Sequence, residues 1–285
     1  MSFIWGTSFI LIKKSLLAYT PTQSGALRIS FAFLYFLPFA IKRLKRIERK
    51  HIKPLLVVGF IGNFFPAFLF AYGETKVNSS LAAMINSTTP IFVLIVGFIF
   101  YKAKVFKINL IGLIIGFVGT IGLIISDLRN FSFTLNIGAL MIILATFFYG
   151  INTNELKYKL HDLDGITVSA VSFLFIGIFA IAYFFSTDLR ASYNNPYFLT
   201  STLSLATLAF FSSFVAVLIF NVIIKYTTAI FAASVTYLIP IFAMFWGMID
   251  GEVITILQII SILIVFSGVS LVNYSPKKSF LFSKN

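Results

Sequence analysis

The chain has 285 residues, of which 59% are hydrophobic and only 11% charged, and it carries a formal net charge of +13. Ordinary soluble domains are about one-quarter charged, and a water-soluble fold of this size cannot hide so much apolar surface, so the mean hydropathy of +0.98 points to lipid as the solvent. The absence of cysteine excludes disulfides, zinc–thiolate centres and thiol nucleophiles.

Ten apolar runs follow one another, at roughly 2–18, 23–42, 54–73, 78–101, 108–126, 136–157, 166–186, 198–221, 228–249 and 254–273. Each is close to the ~20 residues that cross a hydrocarbon core. Backbone amides in lipid need internal partners, so helices are expected, and the continuous rather than alternating runs argue against a β-barrel. The first run, MSFIWGTSFILIKK, lacks the basic start and small-residue cleavage site of a signal peptide. It is also short and includes Lys13 and Lys14, which leaves open a start upstream and a truncated first unit.

The breaks between runs carry the charge. Lys42, Arg43, Lys45, Arg46, Arg49, Lys50 and Lys53 follow the second run, Lys102, Lys104 and Lys107 the fourth, and Lys157 and Lys159 the sixth. With Lys225, Lys277, Lys278 and Lys284 these are 16 of the 22 basic residues, all expected on one side. Lys13, Lys14, Lys76, Arg129 and Arg190 fall on the other. Basic loops of integral membrane proteins stay inside, so both termini are expected in the cytoplasm of a cell with a bacterial-type inner (plasma) membrane. Anionic lipid, not nucleic acid, explains the charge. His51 and His161 lie in polar stretches and suggest no metal site; no cofactor is expected.

The chain resembles itself at about half its length. NSSLAAMINSTTPIFVLIVGFIFY from Asn78 aligns without gaps to TAIFAASVTYLIPIFAMFWGMIDG from Thr228, pairing Ala82 with Ala232, Pro90 with Pro240, and Gly97 with Gly247. A weaker match sets Trp5, Gly6 and Lys13 against Tyr149, Gly150 and Lys157. Two units are expected, 1–127 and 136–274, with 275–285 a cytoplasmic tail. Five helices per unit force the second to insert upside down, the inverted repeat of many carriers.

Further residues tie the chain to a known family. Trp5, Gly6, Phe9 and Lys13 form the pattern W-G-x-x-F-x-x-x-K in the first run. Arg28 follows in the second run, then a small-residue-rich helix with Pro90, then Gly112 and Gly119. The second unit repeats the order with Pro240, Gly251-Glu252 and Gly268. Over about 3–126 and 137–273 the chain resembles the drug/metabolite transporter (DMT) superfamily, specifically proteins with two EamA domains. It departs from the usual pattern at Ala103-Lys104, where Gly-Glu is common, and at Tyr149, where Trp is common. The resemblance implies transport of small metabolites such as amino acids, nucleobases or drugs.

The expected architecture is therefore an all-α integral membrane protein of ten transmembrane helices in two inverted repeats. The expected function is a secondary-active transporter, an exporter of a small metabolite such as an amino acid, working by alternating access and not an enzyme. No H-E-x-x-H, Walker loop or membrane-depth carboxylate pair supports the intramembrane enzyme or ATP-driven alternatives; a scaffold or sensor is the other competing reading. Ionisable groups at membrane depth usually face a cavity or a partner. Lys13 and Arg28 are thus candidate cations for a substrate anion, with snorkelling to the interface as the alternative. Asn63, Tyr72, Asn86, Asn152 and Tyr237 are further cavity candidates, and Trp5, Tyr149 and Trp246 candidate aromatic walls. Pro90 and Pro240 are candidate hinges, because each removes a helix amide. Glu155 is a candidate for coupling to a proton, though a solvated position is the stronger reading; sodium is the other coupling ion considered. Glu74 with Lys76, and Asp250 with Glu252, read as interface loops. The glycines of the fifth run suggest close packing, or else the seam of a homodimer.

Overall fold

The computed structural model describes residues 1–103, 106–126 and 136–274, and all regular elements among them are helical. Lys104, Arg129, Lys277, Lys278, Lys284 and the tail 275–285 lie outside the described residues. α1 (Ser2–Ser15) has 14 residues and closes short of the expected 2–18. Its last turn holds Lys13 and Lys14, whose ammonium groups reach acidic partners beyond the helix end. α2 (Pro21–Arg43) starts at a reciprocal cap. The Gln23 amide donates to Thr20 Oγ1 at 3.3 Å, and the Thr20 amide to Gln23 Oε1 at 3.0 Å. Pro21 occupies the first position, where a donor is not needed.

α3 (Arg49–Gly59), a π-helical turn (Phe60–Phe64) and α4 (Phe65–Gly73) run on as one rod. Pro66 offers no amide to the Gly62 carbonyl four residues back, and the wide turn sits at that point. α5 (Ser79–Asn86) and α6 (Thr89–Tyr101) are separated by a break at Ser87–Thr88. Pro90 strips the Asn86 carbonyl of its helical donor, and the Thr89 hydroxyl replaces it at 2.7 Å. α7 (Lys107–Ser126) and α8 (Ile137–Lys159) follow, then α9 (Gly165–Ser186), capped by Asp164, whose carboxylate accepts from the Thr167 amide at 2.9 Å. A short turn, α10 (Arg190–Tyr193), leads to a second long rod. It consists of α11 (Phe198–Leu208), a π-helical segment (Ala209–Ala216) and α12 (Val217–Tyr226). α13 (Ala229–Ala233), a 3-10 turn (Ser234–Leu238) and α14 (Ile239–Ile249) again break ahead of a proline, Pro240. α15 (Ile256–Asn273) begins at a Thr255–Gln258 capping box.

Among the described residues eight rods are long and apolar enough to cross a bilayer, so the protein is a multi-pass helical membrane protein. That is two fewer than the ten expected. Of the other two runs, α1 rises only about 21 Å at 1.5 Å per residue, whereas α7, with 20 residues, rises about 30 Å.

α1 lies between α11 and α14, while α8 lies between α4 and α6. α2 packs on α9, and α7 along α15. Contacts at the ends make both of these last pairs antiparallel. Gln23, at the start of α2, donates to Thr187 Oγ1 (3.2 Å) and the Asp188 carbonyl (2.9 Å) just past the end of α9, while Arg43, at the end of α2, reaches Asp164 at the start of α9. Asn109, early in α7, donates to the carbonyls of Leu271 (3.1 Å) and Val272 (2.9 Å) late in α15. A Cβ on Gly112 would lie 2.5 Å from the Gly268 carbonyl, and one on Gly119 would lie 2.7 Å from the Val265 amide. The glycine stripe thus serves backbone contact between α7 and α15 within one chain.

Candidate functional site

A cavity of about 120 Å³ lies between the two halves of the chain, walled by α1, α2, α8, α9, both π-helical segments and both broken helices. The π segment of the first long rod contributes Gly62 and Asn63; that of the second contributes Ser212 and Ser213. Such wide turns displace carbonyls from the regular ladder. Here the Ser212 carbonyl accepts from Trp5 Nε1 at 3.4 Å. A Cβ on Gly62 would press into the Asn152 side chain on α8 and displace it.

The wall is aromatic and amide-rich. Tyr149 stacks on Phe70, with ring centroids 5.8 Å apart and planes at 22°, and Trp5 tilts against Phe220 at 5.6 Å. Asn63 donates to the Val58 carbonyl at 2.8 Å and Asn221 to Ser169 Oγ at 2.7 Å. The Oδ1 atoms of Asn86, Asn152 and Asn221 are buried with no hydrogen-bond partner. Arg28 is the one charged side chain among the lining residues described. Its Nε donates to Ser213 Oγ at 3.1 Å, and among the described residues it forms no ion pair. The site therefore offers a cation and several acceptors, and it contains no carboxylate of its own. A smaller pocket of about 20 Å³ shares Leu156 and Asn221 with the cavity and reaches Lys157, His161 and Lys225, at the end where α8 finishes.

The opposite end is sealed by charge. Glu252, on the loop after α14, sits at the N-terminus of α5. Its Oε1 accepts from the Ser79 amide (3.1 Å), Ser79 Oγ (2.7 Å) and Lys13 Nζ (2.9 Å), and its Oε2 from the Ser80 amide (3.0 Å) and Ser80 Oγ (2.7 Å). Burial alone would raise the Glu252 carboxyl, but the hydrogen bonds from Ser80, Lys13 and Ser79 outweigh it and hold it at about 2. Asp250 pairs with Lys13 at 2.7 Å and also with Lys14. At the α8 end a second set of pairs ties the loop after α2 to the loop after α8. Arg43 and Arg46 hold Asp164 at 2.7 and 3.0 Å, and Lys50 and His51 hold Asp162, both at 3.0 Å. His51 Nδ1 accepts from the Glu48 amide at 3.1 Å, so Nε2 carries the proton given to Asp162. That bond, followed by Lys50, keeps the Asp162 carboxyl well below the usual carboxylate range.

Of the residues singled out in the sequence, the structure brings Trp5, Arg28, Asn63, Asn86, Tyr149 and Asn152 to one cavity. Lys13 is not on its wall, being held by Asp250 and Glu252. Tyr72 is exposed on the outside of α4. Tyr237 accepts from Asn273 and lines a separate groove, and Trp246 donates to Thr7 Oγ1 at 3.0 Å on another face of α1. Pro90 and Pro240 each start a helix at a break, next to the lining residues Thr89 and Ile239. Sequence reasoning passed over Ser8, Ser169, Ser212 and Ser213; the Ser212-Ser213 pair inside an apolar run was the available signal. Glu155 accepts from the Tyr101 hydroxyl at 2.7 Å. Glu74, read as part of a loop, is buried. No group of three or more potential metal ligands forms among the described residues.

Comparison with known proteins agrees with this architecture. Over its whole length the chain is 26% identical to an uncharacterized transporter in the trpA 3'region of Buchnera aphidicola subsp. Schlechtendalia chinensis, covering 95% of that protein. It is 23% identical, over 86% of its length and 78% of the relative's, to the S-adenosylmethionine/S-adenosylhomocysteine transporter of Chlamydia trachomatis serovar L2. A solved crystal structure with 11% identity has the same fold, with a TM-score of 0.61 over 95% of this chain and 96% of that one. The Buchnera and Chlamydia relatives are named as transporters rather than enzymes. The profile of the EamA-like transporter family matches residues 1–125 and 136–274, and the chain belongs to that family.

Proposed function

We propose that this membrane transporter is a secondary carrier that exports a small metabolite bearing a carboxylate, such as an amino acid or a related compound, by alternating access. Arg28 carries the reading. It is a guanidinium on a cavity wall that, among the described residues, has one hydrogen bond and no ion pair, in a site where the Asn86, Asn152 and Asn221 oxygens lack donors. A cation placed so deep costs ~2.5–3.5 kcal/mol on insertion scales, and a planar bidentate fork is the group suited to a carboxylate. The unpaired asparagine oxygens suit an ammonium or another N–H donor on the same substrate. Tyr149, Phe70 and Trp5 supply apolar faces. A carrier of this kind needs no cofactor and no nucleic acid.

The framework of this reading is ten transmembrane helices in two inverted units, 1–127 and 136–274, with Pro90 and Pro240 as hinges. The crowding of basic residues at the end where α2 and α8 finish supports a topology with that end and both termini in the cytoplasm of an inner membrane. The cavity then has its smaller neighbouring pocket toward the cytoplasm and the Lys13–Glu252 seal toward the outside, as an exporter loading from within would. A proton or sodium ion is the coupling partner. The glycine stripe of α7 is occupied by α15, so a homodimer would use another face.

Exchange in proteoliposomes tests the reading, using amino acids and S-adenosylmethionine as the panel, at two pH values, with and without a sodium gradient. Saturable exchange is expected. Losing a hydrogen bond to a charged group costs ~1.5–3 kcal/mol, so Arg28→Ala should weaken apparent affinity by about 10- to 100-fold while the protein still folds. Exchange that is untouched by Arg28→Ala removes the cationic site, and a protein that moves nothing in the panel favours the scaffold or sensor reading.

A further inference from the structure

Among the described residues, Glu74 is the one acid at the sealed end that no contact explains. It follows α4 directly and is 9% exposed, and both of its carboxylate oxygens are buried without a hydrogen-bond partner. The other acids described there have partners: Glu252 has Lys13, Ser79 and Ser80, Asp250 has Lys13 and Lys14, and Asp188 has the Arg190 amide at 2.9 Å. The charges that reach Glu74 come from three directions. Arg28 on α2 and Lys13 on α1 attract it, and Glu252 on the loop after α14 repels it. α8, packed on α4, presents Tyr149, which itself neighbours Arg28; Lys76 is two residues along the chain. Glu74 thus lies electrically between the cavity cation and the seal.

We propose that Glu74 is a proton-binding site that holds a proton while the seal is shut and releases it when the seal opens. Burying an ionised carboxylate without a donor is costly, whereas the neutral acid tolerates the site. Burial pushes the Glu74 carboxyl well up, the nearby Glu252 charge adds to this, and Arg28 and Lys13 oppose it. Once Glu252 leaves Ser79 and Ser80, water reaches the carboxyl and the first two effects vanish. The two cations remain. The O–H bond then breaks, the proton passes to water on the sealed side, and the carboxylate is left facing Arg28. A substrate carboxylate on Arg28 competes with that charge, so proton and anionic substrate favour each other's binding and leave together, a co-transport in which export runs down the substrate's own gradient. This last consequence rests on the carrier reading; the proton site itself does not.

Infrared titration of the full chain in lipid nanodiscs tests the site without any substrate, so its failure is distinct from a failure of the exchange assay. At neutral pH the wild type should show the C=O band of a protonated carboxyl, and Glu74→Gln should abolish it. Gly247→Ala opens the seal with no change of charge, because its Cβ would lie 2.5 Å from Glu252 Oε2 and also strike Ser80. The band should then be lost at neutral pH. Lys13→Gln separates two causes by sign. Removing a cation would by itself make Glu74 hold its proton more tightly, so loss of the band in this variant also reports opening. The proposal is overturned if the wild type shows no such band, if the band survives Glu74→Gln, or if it persists in both Gly247→Ala and Lys13→Gln.

Discussion

At the scale of single residues, Glu252 has the most to lose. Five donors converge on its two oxygens, three of them from α5 side chains and Lys13, two from the first amides of that helix. A carboxylate at a helix N-terminus also meets the positive end of the helix dipole. Its carboxyl is held at about 2, against ~4.3 for an unperturbed glutamate. A depressed carboxylate lends stability that is complete above the unfolded value and is lost as pH falls through the folded one. Wild-type resistance to thermal unfolding in detergent should therefore fall as pH drops from ~4.3 toward about 2. Glu252→Gln should start less stable and lack that component; equal pH profiles for the two proteins would mean the seal contributes nothing to stability. The same residues mark how far the sequence could be read. Lys13 and Arg28 look alike as cations in apolar runs. What separates them is a contact between Lys13 and Glu252, 239 positions away in the chain, which no local pattern contains. Asn86 and Asn152 stood out because an amide in an apolar run has few other uses. Ser212 and Ser213 did not, because a small hydroxyl can satisfy itself on its own helix.

At the scale of elements, the apolar runs gave most helix bounds to within a few residues, since length and hydropathy decide what crosses lipid. The interruptions inside the rods were only half visible. Pro90 and Pro240 announced the breaks before α6 and α14, but the π-helical segments keep an unbroken apolar pattern, and only Pro66 hints at the first. Both segments lie on the cavity wall, where the wide turn costs least because water or substrate can meet the displaced carbonyls. Packing between elements makes its own prediction. A Cβ on Gly268 would lie 2.7 Å from the Gly112 carbonyl and would also strike the Gly116 amide. These are backbone atoms with no rotamer to yield. Overpacking of this kind typically costs ~1–3 kcal/mol, so Gly268→Ala should lower the unfolding midpoint measurably. A neutral outcome would show that α7 and α15 can slide apart, and the stripe would then be spacing rather than contact.

At the scale of the whole molecule, the pairing of rods has a pattern that the proposed inverted repeat explains. Exchanging the units sends α1 to α8, the α3–α4 rod to the α11–α12 rod, and the α5–α6 pair to the α13–α14 pair. Under that exchange, the packing of α1 on α14 becomes that of α8 on α6, and α1 on α11 becomes α8 on α3; all four occur. The α2–α9 and α7–α15 pairs map onto themselves, and both are antiparallel. A symmetry axis lying in the membrane plane requires that outcome, whereas an axis along the membrane normal would make both self-paired couples parallel. The loop after α2 and the loop after α9 occupy equivalent places in the two units, so inversion puts them on opposite sides of the bilayer. The chain has no cysteine of its own, and Lys45 and Asn194 are exposed in those two loops. A membrane-impermeant maleimide should label Asn194→Cys in intact cells and Lys45→Cys only after the membrane is opened, because seven basic residues follow the second run on the Lys45 side. Labelling of both positions from the same side would contradict the inversion itself. Labelling on opposite sides but in the reverse sense would keep the inversion and turn the cavity outward, making the carrier load from outside.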